Sequence, residues 1–312
     1  MTSVLNLIGL TTLLRLRSFE EEGRADVYVK PEFLNPSGSI KDRMVSFCVE
    51  QAEKRGELER GSIIVEATSG NTGVSLAMVA AVKGYKAILV IPDTISVVKK
   101  RMMEAFGAEL DIVPAEEGVK RVIERAREVA RREHAWMLNQ FVNPDNLGAY
   151  REMSEEILET LGGRDIDAFV ASVGTGGTLT GVSRVLKKEN PDMQSIAVEP
   201  ERAPAFYNMF YERDLEIGEG IPHRIEGIGE GFVPNILSTN RGLVDEVLLV
   251  NDEDAIKNMH RLIVEEGLFV GISSGANLWS AHKIAKRLGE GKTVVTVLPD
   301  SGQRYTSTQT NR

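Results

Sequence analysis

Apolar and polar positions fall in alternating blocks along this chain. Short, continuous apolar runs at Val27–Val29, Ser62–Glu66, Ala87–Ile91, Leu110–Val113, Ala168–Ser172, Ser195–Glu199, Glu246–Val250 and Thr293–Leu298 read as strands covered on both faces. Helical periodicity between them predicts helices near 41–55, 72–83, 96–105, 118–132, 147–161, 178–188, 252–265 and 276–287. Alternation of this kind builds parallel sheets with right-handed crossovers. In 118–132, Val119, Val122, Ile123, Ala126 and Val129 form one apolar stripe, while the arginines interleave with Glu124, Glu128 and Glu133 as on a solvated face. From Val74 to Val82 the pattern is apolar all round, so this helix is expected to be buried.

The 312 residues suffice for one large α/β domain or two smaller ones, and two separate glycine-rich turns favour two sheets. The expected division is 1–145 and 146–312, each a three-layer α/β/α domain with a mostly parallel sheet. A net charge of −9 disfavours a nucleic-acid-binding surface, which draws on cations. No apolar run reaches the roughly 18 residues of a membrane span, and Met1–Leu10 lacks the basic start and long apolar core of a signal peptide. The one cysteine, Cys48, forms no internal disulfide and suits a reducing cytoplasm; it reads as a small buried residue. His134, His223, His260 and His282 show no metal-ligand spacing.

Chemistry concentrates at turns. In Asn35–Arg43, the turn formers Asn35-Pro36 and Ser37-Gly38 deliver Lys41 on a tight bend ahead of a helix, where it can reach into a cleft. Thr68-Ser69-Gly70-Asn71-Thr72 joins a strand to the buried helix. Its backbone N–H groups and hydroxyls suit a carboxylate, and the Asn71 amide suits a phenolic oxygen; a plain helix cap with a glycine turn is the other reading. Gly174-Thr175-Gly176-Gly177-Thr178 repeats the arrangement as a nest for one phosphate monoester. It lacks both the Gly-Lys-Ser/Thr ending of a nucleotide loop and the dinucleotide spacing, which removes a nicotinamide dehydrogenase. Gly227-Ile228-Gly229, Gly271-Ile272-Ser273-Ser274-Gly275 and Pro299-Asp300-Ser301-Gly302 are further turns of this type. A lysine, a carboxylate nest, a phosphate nest and a neutral hydroxyl turn describe a site for pyridoxal 5′-phosphate and an amino acid.

With Glu66–Gly73, Pro92–Ser96, Asn139–Asn146, Gly174–Gly181, Gly227–Pro234, Gly271–Ala276 and Leu298–Thr308 beside Asn35–Arg43, the chain resembles the cysteine synthase (O-acetylserine sulfhydrylase) and cystathionine β-synthase family, fold type II pyridoxal-phosphate enzymes. The resemblance implies two domains with the cofactor in the cleft between them and with roughly 13–34 crossing to the second domain. It implies that Lys41 forms the Schiff base and acts as general base, that Asn71 contacts the 3′-oxygen, and that Gly174, Thr175, Gly176, Gly177 and Thr178 hold the phosphate. Ser273 then faces the pyridine nitrogen, while Thr68, Ser69, Gly70, Thr72 and Gln140 hold the substrate carboxylate and Gly227 lines the site. The implied reaction is β-replacement, forming L-cysteine from O-acetyl-L-serine and sulfide through an aminoacrylate. O-phosphoserine as donor with Arg224 as an anion contact, homocysteine as acceptor, and a cofactor-carrying sensor without turnover stay open. The resemblance also implies a homodimer and leaves serine acetyltransferase open as a partner. Leu10-Thr11-Thr12, Glu152–Glu156 and Pro299-Asp300 depart from the usual pattern, which leaves the donor undecided.

Overall fold

The computed structural model describes residues 3–17, 22–217 and 223–306. Among these, the strands are β1 (Leu14–Arg15), β2 (Asp26–Pro31), β3 (Ile63–Ala67), β4 (Lys86–Pro92), β5 (Glu109–Val113), β6 (Trp136–Met137), β7 (Ala168–Ser172), β8 (Gln194–Pro200), β9 (Glu246–Val250) and β10 (Thr293–Leu298). One sheet has the order β5-β4-β3-β6 and is parallel throughout. The other, β1-β2-β10-β7-β8-β9, is parallel except for the β1–β2 pair. Contacts divide the chain into two units. The first holds the described residues through Gly9, Asn35–Ala149 and those from Gln303 onward; the second holds Leu10–Leu34 and Tyr150–Gly302.

The crossing segment therefore begins at Leu10, and the division falls after Ala149. Its cause is strand pairing: β2 runs in register beside β10 from Asp26↔Thr293 to Pro31↔Leu298, inside the second unit. Residues from Gln303 return to the first unit, where Arg304 bonds Ser37 and Asn71.

Each sheet is buried for the reason its strands read as apolar. In the first unit Val65, Ala67, Ile88 and Val90 pack with Val122, Ala126 and Val129 of helix Gly118–Arg132. In the second, Val170, Ile196, Val198 and Val294 share a core with Met259, Ala276, Leu278 and Ala281. Each fully buried aliphatic side chain contributes about 2 kcal/mol of hydrophobic free energy before entropy is counted. The arginine-rich face is laced with ion pairs, including Arg121–Glu128 at 2.8 Å and Arg125–Asp111 at 2.9 Å.

Several elements differ from the sequence reading. The two-residue strands β1 and β6 are too short to show a period. The segment expected as one helix over 147–161 is two, Asp145–Gly148 and Arg151–Leu161, with Tyr150 outside helical geometry between them. Helix Asn71–Lys83 is buried from Thr72 through Ala80, but Val82 is 43% exposed. Helix Ala205–Tyr211 forms because Glu199, at the end of β8, accepts the N–H groups of Phe206 and Tyr207. Two of the family departures meet in a buried cluster: Lys30 pairs with Glu156 at 2.5 Å and also donates to the Thr11 carbonyl. Among the described residues no helix is long and apolar enough to cross a membrane.

Candidate functional site

Lys41 is the first residue of helix Lys41–Lys54. The bend before it closes through Gly38 N–H to the Asn35 carbonyl at 2.7 Å, with Gly38 at φ +87°, where a side chain would be strained. The next residue, Asp42, holds this bend in shape. Its carboxylate accepts the Ser37 N–H at 2.7 Å, the Ser37 hydroxyl and the Ser75 hydroxyl at 2.5 Å. Burial raises the Asp42 carboxyl, opposed by those hydrogen bonds and by the charge of Arg304. Cys48 lies buried on the same helix, and burial above all, then the charges of Asp145 and Glu66, push its thiol up, so it is a packing group and no nucleophile.

The turn from β3 into helix Asn71–Lys83 uses its own hydroxyls unequally. Thr68 Oγ1 accepts the N–H groups of Gly70 (3.1 Å) and Gly73 (3.2 Å), so it stabilises the turn from inside. Ser69 is exposed. Thr72 is buried and donates its hydroxyl to Gln140 Oε1 at 2.6 Å. Gly70 leaves room for Lys99: a Cβ there would stand 3.0 Å from Lys99 Cδ and 3.1 Å from its Nζ.

Gln140 is held from three sides. Its Nε2 donates to the Ala67 carbonyl at 3.1 Å, its own carbonyl accepts from Asn146, and its N–H is taken by Glu66. Glu66 also accepts the N–H of Asn139 at 2.7 Å, and Asn139 has φ +54°. Burial pushes the Glu66 carboxyl up to about 8, with the two N–H groups pulling the other way. Glu66 and Asn146 were not singled out from sequence for any role of their own, although they fall inside the motif segments.

In the second unit, Gly174–Thr178 links β7 to helix Gly177–Glu189. Gly176 caps this helix at φ +82°, and a Cβ on it would lie 2.7 Å from Leu237 Cβ. A Cβ on Gly174 would lie 2.6 Å from the Gly227 carbonyl oxygen, so the Gly227 turn rests directly on the Gly174 loop. Thr175 Oγ1 accepts the Gly177 N–H at 3.3 Å, and Thr178 is in the first helical turn. Close packing at Gly174 and Gly176 sets the Gly227 turn and Leu237 against the start of this thirteen-residue helix, an end at which an α-helix leaves N–H groups without intrahelical partners.

Ser273 is buried, and it stands in the first turn of helix Ile272–Leu288. The segment Gly271–Gly275, read as a glycine-hydroxyl turn with a helix from 276, is thus a helix start. Gly275 serves packing: a Cβ there would lie 1.9 Å from the Ala255 carbonyl oxygen of helix Asp252–Glu266. One turn after Ser273, Asn277 accepts the Ser172 N–H at 2.7 Å and donates to the Val297 carbonyl at 2.8 Å. Asn277 therefore fixes the Ser273 helix against the ends of β7 and β10, beside the strand that feeds the Gly174 loop. A lone asparagine in a helical pattern carries no sequence signal for this task.

Within the first unit the structure brings Thr72 to Gln140, and Asn71 to the Lys41 bend through Arg304. Within the second it brings Gly227 to Gly174 and the Ser273 helix to the end of β7.

Mostly parallel sheets, a lysine at a helix start and a glycine-rich strand-to-helix turn are parts found in α/β enzymes that carry a phosphorylated carbonyl cofactor. The chain belongs to the pyridoxal-phosphate dependent enzyme family, whose model matches residues 4–300. It is similar to a cysteine synthase of Staphylococcus aureus, 43% identical over 307 residues that cover 98% of this chain and 96% of that protein. Among solved structures it resembles O-ureido-L-serine synthase, with TM-score 0.92 and 39% identity over 99% of this chain and 94% of the other. It also resembles a cysteine synthase of Entamoeba histolytica, with TM-score 0.90 and 36% identity over 99% and 90% of the two chains.

Proposed function

We propose that this protein forms L-cysteine and acetate from O-acetyl-L-serine and sulfide, with pyridoxal 5′-phosphate as cofactor. The likeness to cysteine synthase along nearly the whole chain carries the reading. The residues that would hold the cofactor are Lys41 through an imine, Asn71 at the 3′-oxygen, Gly174, Thr175, Gly176, Gly177 and Thr178 at the phosphate, and Ser273 at the ring nitrogen. The glycine-rich turn at the N-terminus of helix Gly177–Glu189 supports a phosphate monoester at that place. When bound, this cofactor supplies an electron sink for charge developing at the amino acid's α-carbon.

The rest is work for the protein's own groups. The turn Thr68-Ser69-Gly70-Asn71-Thr72 and the Gln140 amide hold the donor's carboxylate, the Gln140 amide having one N–H engaged by Ala67 and a second to give. Lys41 Nζ takes the α-proton, acetate leaves the β-carbon, hydrosulfide adds there, and Lys41 Nζ returns the proton to the α-carbon. Ser273 is neutral, and a neutral partner favours loss of a β-substituent over a long-lived carbanion. Gly227 gives the donor a wall without a side chain. A homodimer in the cytoplasm completes the proposal, on the strength of the family resemblance and the single cysteine.

The test is to load the protein with cofactor and offer O-acetylserine, then O-phosphoserine, each with sulfide and with homocysteine. We expect cysteine from O-acetylserine and sulfide. Lys41→Ala should lose the imine absorbance and at least ~10³-fold in kcat, the scale of a lost acid–base group combined with a lost covalent anchor. Turnover with only another donor or acceptor would reassign the substrate, and a coloured protein silent to every pair would make it a sensor.

A further inference from the structure

Arg304 is a charged side chain only 2% exposed, and it lies far in sequence from every residue assigned above to the cofactor. Its Nη1 donates to Asn71 Oδ1 at 2.6 Å, and its Nη2 donates to the Ser37 carbonyl and, at 3.5 Å, to the Ser37 hydroxyl. The short helical turn that carries it, Gly302–Tyr305, is pinned in turn: Ser96 donates to the Arg304 carbonyl at 3.0 Å, and Lys99 Nζ stands 4.5 Å from the Tyr305 ring centroid. Ser37 is the residue that Asp42 holds in the bend before Lys41. One guanidinium thus links the amide of Asn71 to the turn that delivers the lysine.

Guanidinium is a donor only, and a side-chain amide has a donor end and an acceptor end. An amide facing Arg304 must turn its oxygen to it, so its NH₂ faces the other way. A partner able to accept as well as donate would permit either orientation. We propose that Arg304 is a positioning residue of the cofactor site: it fixes the Asn71 amide so that N–H groups, and not the carbonyl, meet the cofactor's phenolic oxygen. A donor there stabilises the ionised phenolate; an acceptor would favour the protonated phenol. The inference rests on the cofactor-contacting role proposed for Asn71.

The experiment is an absorption spectrum and a cofactor titration on Arg304→Met, Arg304→Gln, Arg304→Lys and Asn71→Ala, each reconstituted with pyridoxal 5′-phosphate. Lysine is also a donor only, so Arg304→Lys should keep the long-wavelength phenolate band. Glutamine can meet Asn71 in either orientation, so Arg304→Gln should show a mixture with the shorter-wavelength phenol band. Arg304→Met should do the same and bind cofactor about tenfold more weakly, the order of one lost charge-assisted hydrogen bond. Should the methionine variant not fold, the lysine–glutamine pair decides. Glutamine and lysine variants with the same band ratio would overturn the proposal. Asn71→Ala with an unmoved spectrum would instead retire the role of Asn71, and with it the premise.

Discussion

Ser69 and Thr72 share one turn and one chemical group, yet their surroundings set them different tasks. The Thr72 hydroxyl is buried and committed to Gln140 Oε1, so it fixes the side chain whose other amide hydrogen is proposed to grip the donor's carboxylate. Ser69 is exposed, where water replaces most of what a hydrogen bond contributes. Thr72→Val should therefore raise KM for the amino-acid donor about tenfold, with the cofactor spectrum unchanged, while Ser69→Ala should change it about threefold or less. Steady-state kinetics on both variants check this, and the reverse order would make the exposed hydroxyl the principal carboxylate donor. The sequence showed that this turn offers hydroxyls suited to an anion. It did not show which hydroxyl turns inward, because Thr72 meets Gln140 across 68 residues and Arg304 meets Asn71 across 233. Pairings at that range are set by how sheets and turns stack, and no local pattern encodes them.

Glycines at helix starts separate into two kinds once the neighbouring element is known. Gly174 sits under the Gly227 carbonyl and is proposed to help hold the cofactor's phosphate, whereas Gly275 sits under the Ala255 carbonyl and lets two helices touch. Both clashes are with backbone, which cannot rotate away as a side chain can. Gly275→Ala should thus force helices Asp252–Glu266 and Ile272–Leu288 apart and cost about 3 kcal/mol of stability, read from urea unfolding of the cofactor-free protein. Gly174→Ala should move that unfolding midpoint little and weaken cofactor binding at least ~10-fold, since the Gly227 turn can lift but the turn proposed to hold the phosphate then loses its shape. Equal losses of stability in the two variants would refute the distinction. From sequence alone the two looked alike, as glycines among hydroxyl residues at the mouth of an expected helix. Periodicity placed the start of the second helix at 276 because Gly271-Ile272-Ser273-Ser274-Gly275 has turn composition. The packing of Gly275 on a neighbouring helix, which keeps that composition helical, is a tertiary effect.

Across the molecule, alternation of apolar strands and amphipathic helices was enough to give two parallel sheets, since β-strands buried on both faces carry a strong local signal. The return of the residues after Gly302 to the first unit was not legible, because the contacts that hold it, Arg304 on Ser37 and Asn71 and Ser96 on the Arg304 carbonyl, join residues at least 208 apart in sequence. Buried ionisable groups have the same origin, and they set how stability follows pH. Burial pushes Glu66 up to about 8 and Glu199 up to about 7 from an unfolded value near 4.5. From pH 4.5 upward, the native protein keeps protons that the unfolded chain has released, so each carboxyl lowers stability by about 1.4 kcal/mol per pH unit until its folded pKa is passed. His282 acts in the opposite sense at lower pH. Burial above all, then the charges of Arg261 and Arg24, bring it down to about 4 from 6.5, so between those values the unfolded chain holds the extra proton and stability rises with pH. The terms oppose one another up to pH 6.5, beyond which the glutamates act alone. With two carboxyls set against one histidine, stability read from urea unfolding should therefore fall by about 1.4 kcal/mol per pH unit around pH 5–6, and more steeply from pH 6.5 toward 7. Glu66→Gln and Glu199→Gln should each lower stability at pH 5, since an amide has one acceptor oxygen for two N–H groups, and each should flatten the fall by one proton's worth, so that the deficit shrinks toward pH 8. If neither variant changes the slope, both carboxyls are ionised in the folded protein and their paired N–H donors outweigh the cost of burial.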